Sequence, residues 1–324
     1  MAAERTPWRA SADQMQLWPA ISGNAVNGLG EPAARRPSPV YWHPPQTIAH
    51  GALQNWFYKR TAEAGEEVAR ARQDRQQAID EPLAPLSETS GAPPDFTCDD
   101  VKGFALEAGA DDVGITPFRA DYVFEGFPVP AYDRMIVVAL AHDYGEIQSA
   151  PSTRALVEVT RQYARGIRVA KRIANWLRAR GADAHPYGGP MAGSFLLIPP
   201  AIEAGLGELG KHGSMIHPRF GANFRLACVL TNAKLDADAR RDFGADDFCL
   251  NCQICANACP PEAIAHEKQT VRGQQRWYVD FDKCLPYFNE NHSCAACIAV
   301  CPFSRPEVGV NLVGKLARKR AHPR

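Results

Sequence analysis

No stretch of the 324-residue chain approaches the ~20 consecutive apolar residues of a membrane-spanning helix. Its longest apolar runs, MIVVALAH and FLLIPPAI, read as a buried strand and as the lead into a helix. An excess of charge is also missing, because 36 Lys and Arg offset 36 Asp and Glu. That balance removes the electrostatic argument for nucleic acid or an anionic membrane as the main partner. The basic tail KLARKRAHPR reads as a solvated terminus. The Arg35-Arg36 pair is followed by PSPVYWHPP, where a twin-arginine leader would need an apolar stretch. The expected location is therefore cytoplasmic.

Cysteine is scarce over most of the chain. Of ten, eight fall between Cys249 and Cys301, and Cys98 and Cys228 stand apart as expected buried thiols. Such a cluster in an intracellular chain points to metal rather than disulfides.

Residues 1–95 are rich in Pro, Ala and Arg, with little periodicity. They read as an irregular segment covering the main domain, with a charged helix near 60–79. Sharper signals begin at TCDDVKGFALEAG, where Thr97 and Asp100 form a potential capping box and Gly109 a helix stop. DVGIT and RMIVVALAH read as strands. The longest helix is expected between the N-cap Ser152 and the C-terminal Gly181. Its apolar stripe takes in Leu156, Val159, Ile167, Ala170, Ala174 and Leu177, with Tyr163 on the same side and so directed inward. ADAHPY and NFRLACVLT follow as strands, with PPAIEAGLG a short helix. Alternating strands and helices over 96–245 predict an α/β sandwich. The cysteine-rich module occupies 246–306, and 307–324 form a tail.

Cys249, Cys252, Cys255 and Cys259-Pro260 follow the C-x2-C-x2-C-x3-C-P run of bacterial two-cluster ferredoxins. Short spacers let three thiolates grip one cubane, while the fourth cysteine crosses to the other. Cys294, Cys297 and Cys301-Pro302 repeat the end of that run, and Cys284 supplies the missing ligand from a distance. Two sets result: Cys249, Cys252, Cys255 with Cys301, and Cys259, Cys284, Cys294 with Cys297. Zinc also uses C-x2-C pairs, but two interlocked sets each ending in Cys-Pro favour two [4Fe-4S] clusters.

The stretch PPAIEAGLGELGKHGSMIHPRFGANFRLACVLTNAKLDADARRDFGADDFCLNCQICANACP, together with DKCLPYFNENHSCAACIAVCPF, resembles the reductive dehalogenases. The epoxyqueuosine reductases of tRNA modification are a rival family with the same plan. The resemblance implies an α/β (α+β) corrinoid-binding sandwich domain fused to a bacterial two-cluster ferredoxin-like domain. It implies a base-off cobalamin or related corrinoid near Gly188, Gly189, Gly205, Pro218, Phe220 and Asn223. It also implies that a loop at 285–293 covers the corrinoid, with Phe288 lining the substrate pocket.

In the same resemblance Tyr163 is the proton donor and Arg225 its cationic neighbour. Replacing C–X by C–H takes two electrons and one proton, and a guanidinium stabilises the phenolate left behind. The rival family carries an acidic donor where this chain has Arg168, and its C-I-S-Y-L-T-I-E pattern is here CLPYFNEN. Both differences favour a cytoplasmic reductive dehalogenase whose Co(I) corrinoid receives electrons through the two clusters. With no flavin or nicotinamide module, an external ferredoxin, flavodoxin or reductase is the implied donor. The alternatives are an epoxyqueuosine-reductase-like enzyme acting on tRNA and a non-enzymatic dicluster electron carrier. Asp183–Gly188 also satisfies D-x-H-x-x-G, a lower-ligand motif for cobalt, but the match is short and a lower histidine disfavours Co(I), so it reads as coincidence, with His185 lining the pocket or facing solvent. The organohalide and the oligomeric state are not legible.

Overall fold

The computed structural model describes residues 8–87, 96–189 and 193–321. Among the described residues four α-helices precede the main domain: α1 (Ala12–Gln16), α2 (Gly23–Asn27), α3 (Gly51–Ala62) and α4 (Glu66–Asp80). The charged helix expected near 60–79 is α4, and the rest of the segment adds three helices to its irregular stretches, with Ser11 and Ser22 capping α1 and α2 through their side chains. Glu66 and Glu67 favour the start of α4 by opposing its helix dipole.

The main domain runs α5 (Cys98–Glu107), β1 (Asp112–Pro117), β2 (Arg134–Ala141), α6 (Tyr144–Gln148), α7 (Thr153–Arg178), β3 (Ala184–Gly188), α8 (Ile198–Glu203), β4 (Glu208–Leu209), β5 (Met215–Ile216) and β6 (Phe224–Thr231). Thr97 and Asp100 form both hydrogen bonds of a capping box at α5. Ser152 caps α7, whose stripe residues are buried as the periodicity predicts, while Tyr163 is half-buried.

Four strands pair in the order β1-β2-β6-β3, every pairing antiparallel. Both faces of this sheet are covered, so β2 reads as a continuous apolar run rather than an alternating one. Ile136, Val138 and Leu140 face α5 and α7 through Val101, Ile173 and Leu177. Met135, Val137 and Ala139 face Phe195, Ala201 and Leu206. Ile173 is fully buried in the first layer. Its replacement by Ala is expected to cost about 2–5 kcal/mol in denaturant unfolding, from lost transfer energy plus an unfilled cavity.

The cysteine-rich module adds α9 (Ala245–Asn251), α10 (Ile254–Ala258), the hairpin β7 (Gln269–Val271) and β8 (Gln274–Arg276), α11 (Phe281–Glu290), α12 (Ala296–Ala299) and α13 (Val308–Ala321). Residues 285–290, expected in a loop, belong to α11. Asp280 caps that helix by accepting from the Lys283 amide, and Leu285, Pro286 and Asn289 bury one face. The basic tail is helical through Ala321, its last turn carrying Arg318, Lys319 and Arg320.

The N-terminal helices form a strap fastened to α11. Gln14 Nε2 donates to the Pro286 carbonyl at 3.1 Å, and Asn289 Nδ2 donates to Gln14 Oε1 at 2.9 Å. Tyr41 Oη donates to Asn289 Oδ1 at 2.9 Å, while the Gly23 and Phe281 amides donate to Asp282 and Asn24. From there α4 runs along α7, burying Val68 and Ala71 on Leu156 and Val157. Cys228 is fully buried in the sheet, whereas Cys98 is half-buried.

Candidate functional site

The eight clustered cysteines lie in one module, where thiols among Cys249, Cys252, Cys255 and Cys301, and among Cys259, Cys284, Cys294 and Cys297, act on one another. Cys249 lies in α9 and Cys252 caps its end, Cys255 lies in α10 and Cys259 caps its end. Cys284 comes from α11, Cys297 from α12, and Cys301 follows at the cap of the next turn. Burial, opposed by the Lys211 amide and reinforced by the neighbouring Cys255 and Cys252, pushes the Cys249 thiol up to about 11. Cys255 is likewise raised to about 11, by burial and then by Cys301 and Cys252. In the second set, burial and the neighbouring Cys259 and Cys294 raise Cys284 to about 12. Burial raises Cys297 too, and it feels Cys284, Cys294, Cys255 and Cys259, so the sets adjoin. Thiols held this high stay protonated in water, and binding a metal core would displace their protons into solvent.

Among the described residues, no three His, Cys, Asp or Glu side chains converge as a site for a single ion. Fully buried Lys211 has its ammonium over the Trp277 ring, 4.8 Å from the centroid, with no hydrogen-bond partner. It acts on the Cys249 and Cys255 thiols. A buried cation without a counterion is costly, and an anionic cluster on the first set would supply that counterion.

Cys294 sits in an unusual turn. His292, Ser293, Cys294 and Ala295 all have left-handed backbones, at φ 50, 70, 48 and 68°. Each such residue costs about 1–2 kcal/mol, so the contacts at this turn must hold it in place.

Cys284 also lines a cavity of about 510 Å³ between the sheet, the strap and α11. Tyr163, Arg225, Gly189, Phe288 and Trp42 line the same space. Asn27, Leu196 and Ile198 join it to an outer cleft of about 770 Å³. Arg225 lies with its guanidinium carbon 5.4 Å from the centre of the Tyr163 ring, a cation–π contact. A second cavity, of about 180 Å³, lies across Tyr163, Arg225, Phe288 and Trp42 from the first. Phe288 stacks on Phe57 of α3 at 5.5 Å.

His142 stands next to Arg225, with Nδ1 3.6 Å from Glu158 Oε1. Burial, opposed by Glu158 and reinforced by Arg225, lowers its pKa from 6.5 to about 4. The unfolded chain therefore binds a proton that the native state refuses, and stability is lost as pH falls from 6.5 towards 4. Denaturant midpoints at pH 7 and pH 5 should show that loss, and His142→Gln should reduce it.

Other expected site residues lie elsewhere. Gly188 packs on Ile167, where a Cβ would approach within 2.9 Å of its side chain, and thus sits just behind the cavity wall. Gly205 has φ 75° and abuts the Ala239 carbonyl. Pro218 is half-buried in the 217–221 turn, and Phe220 there stacks on His217 at 4.3 Å. Asn223 is buried after that turn with its side-chain amide unpartnered. Those last four line neither the inner cavity nor the outer cleft, since they shape turns or pack beside them. His185 is exposed on the edge strand β3 and does not line the cavity. Arg168 is tied to Asp74 and Glu81 of the strap at 2.7 and 2.9 Å. Sequence reasoning missed Trp42, Phe57, Tyr58, Arg72 and Arg75, all from the strap. The aromatic run Trp56–Tyr58 was the available signal.

Residues 248–304 match the family described as a 4Fe-4S dicluster domain. Tetrachloroethene reductive dehalogenase of Dehalobacter restrictus (strain DSM 9455 / PER-K23) is 34% identical over 223 residues, 64% of this chain and 39% of that protein. Epoxyqueuosine reductase of Synechococcus sp. (strain CC9605) is 32% identical over 117 residues, 36% of this chain and 32% of that protein. The solved catabolic reductive dehalogenase NpRdhA superposes with a TM-score of 0.69 at 21% identity, covering 96% of this chain and 50% of its own. This chain thus spans less than half the length of the curated relatives it matches. Among the described residues no helix is long and apolar enough to cross a membrane. The chain is a relative of the reductive dehalogenases, with the epoxyqueuosine reductases more distant, and it ends in a 4Fe-4S dicluster module on a reductive-dehalogenase-like fold.

Proposed function

We propose that the protein is a corrinoid-dependent reductive dehalogenase, converting R–X, two electrons and a proton to R–H and halide. One observation carries the reading: a cysteine of the second set, Cys284, shares a cavity with Tyr163 and Arg225. The inner cavity fits a base-off corrinoid in character, offering Gly189, Gly193 and aromatic side chains to a large, largely apolar ring. A Cβ at Gly193 would come within 2.9 Å of the Tyr187 ring, so glycine keeps this wall open. A bound corrinoid would supply reducing chemistry at carbon–halogen bonds, fed through two [4Fe-4S] clusters.

The chain's own residues do the rest. Cys252 is partly exposed and lines a surface cleft with Ile254, Arg318 and Lys319, which suits entry of electrons from an external carrier. Cys284 holds the second cluster against the inner cavity. The Tyr163 hydroxyl gives a proton to the carbon that loses halide, and Arg225 stabilises the phenolate that remains. Phe288 and Trp42 exclude water from the reacting atoms.

Anaerobic protein loaded with iron, sulfide and cobalamin should release halide from an organohalide panel in step with reductant consumed. Tight binding of a tRNA anticodon stem-loop with no halide release would support the epoxyqueuosine alternative. The curated Dehalobacter relative is named for tetrachloroethene, and NpRdhA is described in complex with 3-bromo-4-hydroxybenzoic acid. The relatives therefore leave a neutral or an anionic substrate open.

A further inference from the structure

We propose that the 180 Å³ cavity takes a single-ring halogenated aromatic carboxylate, held at its anionic end by Arg72 and Arg75 of the strap. This rests on the dehalogenase reading and names its substrate class. The size is right for one ring, since a cavity of about 150 Å³ takes up benzene. Trp42, Phe57 and Phe288 offer the ring apolar walls.

The charge distribution selects the rest of the molecule. Val68, Arg72 and Arg75 fall at i, i+4 and i+7, so α4 presents them on one face, and all three line the cavity. Arg225 lines it from the opposite wall, and no Asp or Glu does. Two arginines of α7 facing away from the cavity have carboxylates, Arg165 with Asp111 at 2.9 Å and Arg168 with Asp74 at 2.7 Å. Among the described residues, Arg72, Arg75 and Arg225 have no such partner. Arg72 donates to the Tyr58 carbonyl and Thr61 Oγ1, at 3.3 and 3.2 Å, and its guanidinium carbon lies 5.7 Å from the centre of the Tyr58 ring. Arg75 Nε and Arg225 Nε are buried without any hydrogen bond.

Burial and the nearby Arg75 both lower the pKa of Arg72, as expected for like charges held together out of water. Cys294, read as a ligand of the second cluster, lines the cavity too, so the guanidiniums are probed in the cluster-loaded protein. Guanidiniums left unpaired in a half-dry pocket call for an anion, and their planar forks suit a carboxylate. A neutral organohalide would leave that charge uncompensated.

The test is anaerobic titration of the cluster- and cobalamin-loaded protein with 3-bromobenzoate and its uncharged isostere 3-bromobenzamide, following tryptophan fluorescence. The benzoate should bind about 10- to 100-fold more tightly. Arg72→Gln and Arg75→Gln should each remove most of that preference with cluster absorbance unchanged, and Arg75→Lys should restore part of it. Equal binding of the two probes, or a preference that survives both Gln variants, overturns the proposal. Bromide release separates the two readings. Equal release from the amide and the benzoate would sink the anion site and leave the dehalogenase standing. Selective benzoate binding without bromide release would do the reverse.

Discussion

Tyr163→Phe should reduce halide release by about 100- to 10,000-fold, the usual contribution of a positioned general acid. The substitution keeps the ring that lines both cavities and stacks under the Arg225 guanidinium, and removes only the hydroxyl. Iron content, cluster absorbance and substrate binding should therefore remain as in the parent protein. Solvent deuterium should slow product formation in the parent more than in the variant. If turnover survives the change, the proton comes from elsewhere, and water in the cavity becomes the candidate.

The second large effect is expected at Cys284. Its thiol, proposed as a ligand of the second cluster, is part of the inner cavity wall. Cys284→Ala should remove one cluster, bringing bound iron towards half, and should abolish halide release even with a strong artificial reductant. Cys249→Ala should also lower the iron, but it acts on the set beside the partly exposed Cys252, farther from the cavity. A small reductant that reaches the inner cluster directly should therefore rescue Cys249→Ala and leave Cys284→Ala inactive. Equal rescue of both variants would contradict the order of the electron path.

These effects separate what was local in the sequence from what was not. The dicluster module was legible because its cysteine spacing is local in the sequence, and residues 248–304 match a 4Fe-4S dicluster domain. The stripe on α7 was legible because Leu156 through Leu177 repeat at helical period, and that stripe placed Tyr163 inward before any sheet was known. The strap was not legible. Gln14, Asn24 and Tyr41 find their partners in α11, some 250 residues away along the chain, and no periodicity announces such pairings. Residues 285–290 were placed in a loop by likeness to the family, and Pro286 falls among them. The Asp280 cap and the buried Leu285 and Asn289 nonetheless carry a helix through the proline. The arginines of α4 read in sequence as an ordinary charged face. Only the packing of α4 on α7 turned Arg72 and Arg75 towards a cavity.

The glycines followed the same division. Gly109 and Gly181 were placed from their helix ends and adopt φ 105 and 83°. Gly205 was assigned to a cofactor by likeness of sequence, yet its φ of 75° and the Ala239 carbonyl against it show a turn that needs glycine for its own geometry.

The most direct measurement is cobalt retained per chain after anaerobic reconstitution with iron, sulfide and cobalamin and passage over a desalting column. One cobalt per chain, in a base-off spectrum and beside a fully loaded pair of clusters, is the predicted result. Full cluster loading with no cobalt retained would mean that the cavity beside Cys284 seats no corrinoid, and that the protein only carries electrons.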